Sequence, residues 1–244
     1  MHRRTATPGR GAHEPKSAVT TLNDYFQDRQ FRRSWSLASQ DGIIGTAGIL
    51  LGLTGAGASE ATLLVAVTTA TVAGMLTTGG AKWSETAAER EAQLRAISQE
   101  RSEFKSQRGV ERAVLVGYYT DKGLSHDLAD KVAGELMLRN PLKAGLESEH
   151  GIFSLTSRGE VVFSGLSASV AYALGAAIPF GIAYFLPVEI EIWVIVLAVI
   201  LSLTFVSIAG ARAGHMDVSN TILRTLVVGS VTISISYLVG EFAF

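Results

Sequence analysis

The sequence predicts an all-α membrane protein with five transmembrane helices and a cytosolic helical insert between spans 2 and 3. Five apolar runs approach the roughly 20 residues that an α-helix needs to cross a hydrocarbon core. Between the second and third runs, residues 82–151 carry twelve of the 22 acidic and eleven of the 21 basic residues. Basic residues also fall in the N-terminal tail, at Arg158 on the exit from the insert, and at Arg212 and Arg224 beside the loop before the fifth run, whereas the loops around Glu60 and around Pro187 to Glu191 have none. Cytoplasmic loops collect Lys and Arg. This one-sided distribution puts the N-terminus and the insert in the cytosol and the C-terminal Phe244 outside.

Composition agrees with a membrane class. The chain is 48% hydrophobic and 18% charged, and its mean hydropathy is positive, above what an ordinary soluble domain shows. A net charge of −1 offers no basic surplus for nucleic acid, and no zinc-finger or aromatic-interleaved basic pattern occurs. The absence of cysteine removes disulfides, thiolate metal sites and cysteine nucleophiles together. No zinc-protease motif, nucleophile elbow or phosphate loop argues for an enzyme.

Residues 1–37 read as a cytosolic basic tail, broken early by Pro8, Gly9, Gly11 and Pro15, with a short amphipathic approach helix near Leu22 to Phe31. Residues 38–81 read as a transmembrane hairpin: one run from Ala38 to Gly57, a tight turn at Glu60, and a second run from Ala61 to Ala81. Small residues at Gly42, Gly45, Gly48, Gly52, Gly55 and Gly57 would let the first helix approach its neighbours closely, which is how helices associate in lipid. Residues 161–244 supply three more runs: Val161 to Leu186 with Pro179 inside, Ile192 to Ala211, and Thr225 to Phe242.

The insert, residues 82–151, carries helix punctuation. A helix continuing out of the second span is expected to end at Arg108-Gly109, a last-turn cation followed by a C-terminal glycine. A second helix should run from Val110 to Lys122 and stop at Gly123. A third, capped by Ser125, should stop at Asn140-Pro141, and a short fourth should end before Gly151.

Two sets of residues suggest chemistry. Glu89, Glu100 and Glu111 recur every eleven residues, three helical turns, with Glu103 one turn from Glu100. Glu135, Glu147 and Glu149 arrive from later helices and can converge on the same face. Clustered carboxylates without thiols suit Mn²⁺, Fe²⁺, Ca²⁺ or Mg²⁺ better than Zn²⁺. The same spacing also fits a solvated helix with Glu and Arg interleaved, and His126 and His150 read more readily as surface residues than as ligands. The second set lies in the membrane. A carboxylate costs roughly 2.5 to 3.5 kcal/mol at mid-bilayer on insertion scales, and such residues mark ion or proton pathways. Asp41, near the cytosolic end of the first run, is that residue, with helix capping as its plainer explanation. Met75, near the cytosolic end of the second run, offers either core packing or a soft thioether contact to a passing metal.

Asp41-Gly-Ile-Ile-Gly-Thr-Ala-Gly-Ile-Leu-Leu-Gly-Leu, the Ala73-Gly74 span running into a charged helix, the stretch Lys122 to Met137, and Ser236-Tyr-Leu-Val-Gly240 together resemble the vacuolar iron transporter family over about residues 36–242. The resemblance implies a homodimeric Fe²⁺/Mn²⁺ exporter driven by proton antiport, whose partners are divalent metal ions, protons and the lipid bilayer; the expected location is the plasma membrane of a prokaryote. On that resemblance Asp41 matches the family aspartate, Glu100, Glu103 and Glu111 match metal-binding glutamates, and Glu149 matches the acid before the last turn of the insert. Where the family shows Met and then Gly-Glu at the end of the second span, this chain has Thr78 and then Ala81-Lys82, and Val114 replaces another insert glutamate. The alternative function is a membrane-anchored metal-binding or regulatory protein that sequesters metal without transporting it.

Overall fold

A computed structural model describes residues 29–106, 108–185 and 188–243, and all of its regular structure is helical. The eight described helices are α1 (Arg29–Gly55), α2 (Glu60–Ser106), α3 (Arg108–Asp121), α4 (His126–Arg139), α5 (Pro141–Glu149), α6 (Arg158–Phe185), α7 (Val188–Gly214) and α8 (Val218–Ala243). The basic tail before Arg29 and Phe244 lie outside the described residues. So do residues 22–28 of the expected approach helix; its last residues, from Arg29 on, are the first turn of α1, with no break before the apolar run.

Helix α1 is the centre of the apolar bundle and packs against α2, α6, α7 and α8. Its Ile43, Ala47, Leu50 and Leu51 interlock with Leu63 and Val67 of α2 and with Ile195, Val199 and Leu203 of α7. The small residues of α1 do what their spacing suggests. A methyl group on Gly42 would overlap the Tyr172 carbonyl of α6, and one on Gly240 of α8 would overlap the Gly52 carbonyl of α1, so backbones touch at both crossings. Gly57 is different: it lies beyond the end of α1 at φ 70°, where it turns the chain. Ser59 then starts α2, its hydroxyl accepting from the Thr62 amide at 3.3 Å.

Among the described residues, four helices are long and apolar enough to cross a membrane: α2, α6, α7 and α8. Helix α1 is not among them, because Ser39, Gln40 and Asp41 and its glycines dilute the run. The 47-residue α2 leaves the apolar bundle and continues into the insert without a break, about 70 Å at 1.5 Å per residue. There α3, α4 and α5 pack together and onto its end, around Leu115, Val116, Ala129, Ala133 and Ala144.

The expected stops hold in most places. At Gly123, φ 95°, the amides of Gly123 and Leu124 donate to the carbonyls of Thr120 and Tyr119, which closes α3. Asn140 ends α4 and starts α5, its Oδ1 accepting from the Lys143 amide at 3.2 Å, with Pro141 at the first helical position. Two expectations fail. Ser125 occupies the cap position of α4 but its hydroxyl makes no capping bond, and Gly109 does not end a helix, since α3 has already begun at Arg108.

Candidate metal centre

Glu100 sits near the far end of α2 and is 1% exposed. It is covered by α5, where a methyl group on Gly145 would overlap its carboxylate, so the carboxylate fits beneath α5 only because residue 145 lacks a side chain. Helix α5 ends at Glu149, His150 is its C-cap with its amide donating to the Leu146 carbonyl at 3.3 Å, and Gly151 at φ 63° turns the chain away. This ending swings Glu149 and His150 back over Glu100. The His150 Nε2 lies 3.8 Å from the Glu100 Oε2, too far for a hydrogen bond. One ligand atom from each of Glu100, Glu149 and His150 lies within 4.8 Å of the others. Two donors on opposite sides of a hard divalent cation stand about 4 to 5 Å apart, so the three atoms have the separation of a coordination sphere.

The other expected ligands are placed differently. Glu111 is on α3, a separate helix from Glu89 and Glu100, so the eleven-residue repeat does not form one straight face. Glu135 pairs with Arg139 at 3.6 Å and Glu147 with Lys143 at 3.5 Å, each along its own helix. No group of three acidic or histidine ligands that includes Glu111, Glu135 or Glu147 forms among the described residues. Glu103 has its backbone in α2, and its side chain lies outside the described residues. His150, read from sequence as a surface residue, keeps only 26% of its side chain exposed and belongs to the group.

Between the cluster and the apolar bundle, two open depressions lie side by side along α2. A cavity of about 550 Å³ runs past His150, Gln93 and Glu89, and a second of about 200 Å³ is lined by Glu89, Lys82, Glu160, Ser34 and Ser164. Glu89 and Thr156 form part of the wall of both. The chain at Thr156 is pinned there by its amide, which donates to Gln93 Oε1 at 2.8 Å. Lys82 brings a cation to the inner cavity and is held by Glu85 at 3.0 Å.

Farther along the bundle are Asp41 and Met75. Asp41 is exposed on the surface of the single chain and Met75 is half-buried, its carbonyl accepting from Ser169 of α6 at 2.9 Å. Each follows or precedes a glycine packed on Tyr172: Gly42 meets that residue's carbonyl and Gly74 its ring. Tyr172 therefore packs beside the backbone at both residues.

No curated protein matches the chain significantly. A family model does match, over residues 33–241, and it covers nearly all of α1, every helix of the insert and nearly all of α8. With that extent of agreement, the chain belongs to the VIT family, the vacuolar iron transporter family that its motifs resemble, whose members move metal ions across membranes.

Proposed function

We propose that this protein exports divalent iron, manganese or both from the cytosol by proton antiport, as a homodimer in the plasma membrane of a prokaryote, with α1 as the fifth membrane-crossing helix and the insert on the cytosolic side. The observation that carries the proposal is a carboxylate 1% exposed, Glu100, beside Glu149 and His150 on a helix whose other end is a candidate membrane span. Burying a carboxylate is costly unless a cation or donors compensate. Two carboxylates and one imidazole form a mixed oxygen and nitrogen set, which suits Fe²⁺ and Mn²⁺ better than the all-oxygen shells of Ca²⁺ and Mg²⁺. Glu111, Glu135 and Glu147 add carboxylates on the other helices of the insert, the last two offset by Arg139 and Lys143.

From the cluster, metal passes Glu89 and enters the inner cavity, whose end lies toward Asp41 and Met75. A carboxylate holds either a proton or a dication, because metal ligation requires the deprotonated form. Asp41 bound alternately by each, as access alternates between the two sides, exchanges one for the other. Met75 adds a thioether, which discriminates against hard ions. Lys82 on this route favours the second reading, metal binding without transport, since an ammonium repels a dication. Uptake into proteoliposomes, with Fe²⁺, Mn²⁺, Co²⁺ and Zn²⁺ compared at imposed pH gradients, tests export; no flux for any of the four would leave the sequestering function.

A further inference from the structure

A second polar feature lies where α1 begins, α7 ends and α8 begins, next to the inner cavity, with which it shares Phe31 and Trp35. Arg32, Arg33, Arg212 and Arg224 gather at this end of the bundle, and no ion pair engages any of them among the described residues. Asp217, an acid at the same end, uses its Oδ1 to accept from the Asn220 amide at 2.7 Å and so starts α8.

Two depressions share a wall here. One is a small notch of about 30 Å³ lined by Arg33, Ser36, Gln40, Thr221 and Arg224. Its floor is built: Ser36, Gln40 and Thr221 are all buried, Ser36 Oγ donates to the Val206 carbonyl at 3.1 Å, and Thr225 bonds Gln40 across from α8. The other is an apolar groove of about 350 Å³ between α1 and α7, formed by Phe31, Trp35, Phe205, Val206 and Ala209, with Arg32 at its edge. Ser36 and Gly210 line both. They can meet because Gly210 has no side chain; a methyl group there would overlap the Ser36 hydroxyl.

A soluble anion would need only the notch, and a hydrocarbon only the groove. We propose that the two together hold one anionic phospholipid at the membrane boundary, its phosphate between Arg33 and Arg224 and one acyl chain along the Trp35 to Phe205 groove. Unpaired arginines supply the opposite charge, a tryptophan sits where aromatic side chains favour the headgroup level, and the groove opens on a helix that itself qualifies as a span. Bound there, the lipid ties the start of α1, the helix that bears Asp41, to α7 and α8. Anionic lipid therefore stabilises the packing of the bundle at this end.

The test uses full-length protein in detergent, titrated with short-chain phosphatidylglycerol, phosphatidylcholine of the same chains, and glycerol 3-phosphate, with thermal midpoint and native mass spectrometry as readouts. Phosphatidylglycerol should raise the midpoint and remain bound in the gas phase, the other two not. Arg33→Gln with Arg224→Gln should weaken its apparent affinity roughly 30-fold, from about fivefold per arginine near an anionic lipid. Ala209→Trp, which fills the groove from an exposed position, should weaken it while keeping the arginines. Circular dichroism of both variants, unchanged from wild type, separates loss of lipid from loss of fold. An equal shift with phosphatidylcholine, or the full phosphatidylglycerol shift in the double arginine variant, would overturn the proposal. If glycerol 3-phosphate alone gives the whole shift and Ala209→Trp changes nothing, the notch is a soluble-anion site and the phospholipid assignment fails.

Discussion

Gly145 and Glu100 depend on each other: one has no side chain, and the other puts its carboxylate in that space. Metal that binds the folded insert and not the unfolded chain should raise the thermal midpoint, by about 2.7 kcal/mol of stabilisation at a hundredfold excess over Kd. Glu100→Gln should abolish the Mn²⁺-induced shift and Gly145→Ala should reduce it by pushing the carboxylate aside, while Glu135→Gln, whose native carboxylate pairs with Arg139 along its own helix, should leave it intact. A full shift in Glu100→Gln protein would return the acidic cluster to an ordinary solvated surface. Glu100 was legible from its helical spacing, and Glu149 from the family motif. His150 and Gly145 were not, because their roles arise where α5 ends over α2, a contact between residues some fifty positions apart that no local periodicity records. Glu89 belonged to the eleven-residue repeat, but only the two cavities it borders distinguish it from the other exposed acids of α2.

Helix α2 joins the cluster to the membrane as one rigid rod, and its continuity was expected from the apolar run passing into a charged one with no glycine or proline between Lys82 and Gln107. A helix-interior proline removes one backbone bond and costs about 3 kcal/mol. Ala88→Pro, at an exposed position between Lys82 and Glu100, should leave the Mn²⁺ shift in place and lower metal flux at least tenfold, because the insert and the bundle would then move independently. Equal flux in wild type and Ala88→Pro would mean that the rod is not needed for coupling. The punctuation of the insert was readable at Gly123 and Asn140-Pro141, where the backbone itself demands a glycine or forbids an amide. It misled at Arg108-Gly109: a cation followed by glycine looks like a helix end, yet tertiary packing of α3 outweighs the modest cost of one glycine in a first turn. Helix α1 shows the reverse case, since the glycines that lower its apolarity are the ones that place it at the centre of the bundle.

Taken as a whole, the charge distribution sets a topology that labelling can check. Single cysteines at Ser59, Arg108 and Phe244 are free of background because the chain has none of its own. With an even number of crossings between them, residues 59 and 244 should react from outside and residue 108 only from the cytosol; the opposite pattern would invert the protein. Thr78 and Lys82 bear on whether the whole machine transports. Thr78→Met with Lys82→Glu replaces an ammonium with a carboxylate on the inner cavity and should raise flux severalfold if repulsion limits the passage of metal. The most direct measurement takes wild-type and Asp41→Asn protein in proteoliposomes and records metal flux and metal-driven proton movement together under an imposed pH gradient. Antiport through Asp41 predicts that wild type moves Fe²⁺ or Mn²⁺ one way and protons the other, and that Asp41→Asn protein still shows the Mn²⁺-induced rise in midpoint yet carries neither flux. Transport by Asp41→Asn at the wild-type rate, or wild-type metal flux with no opposing proton movement, would contradict it.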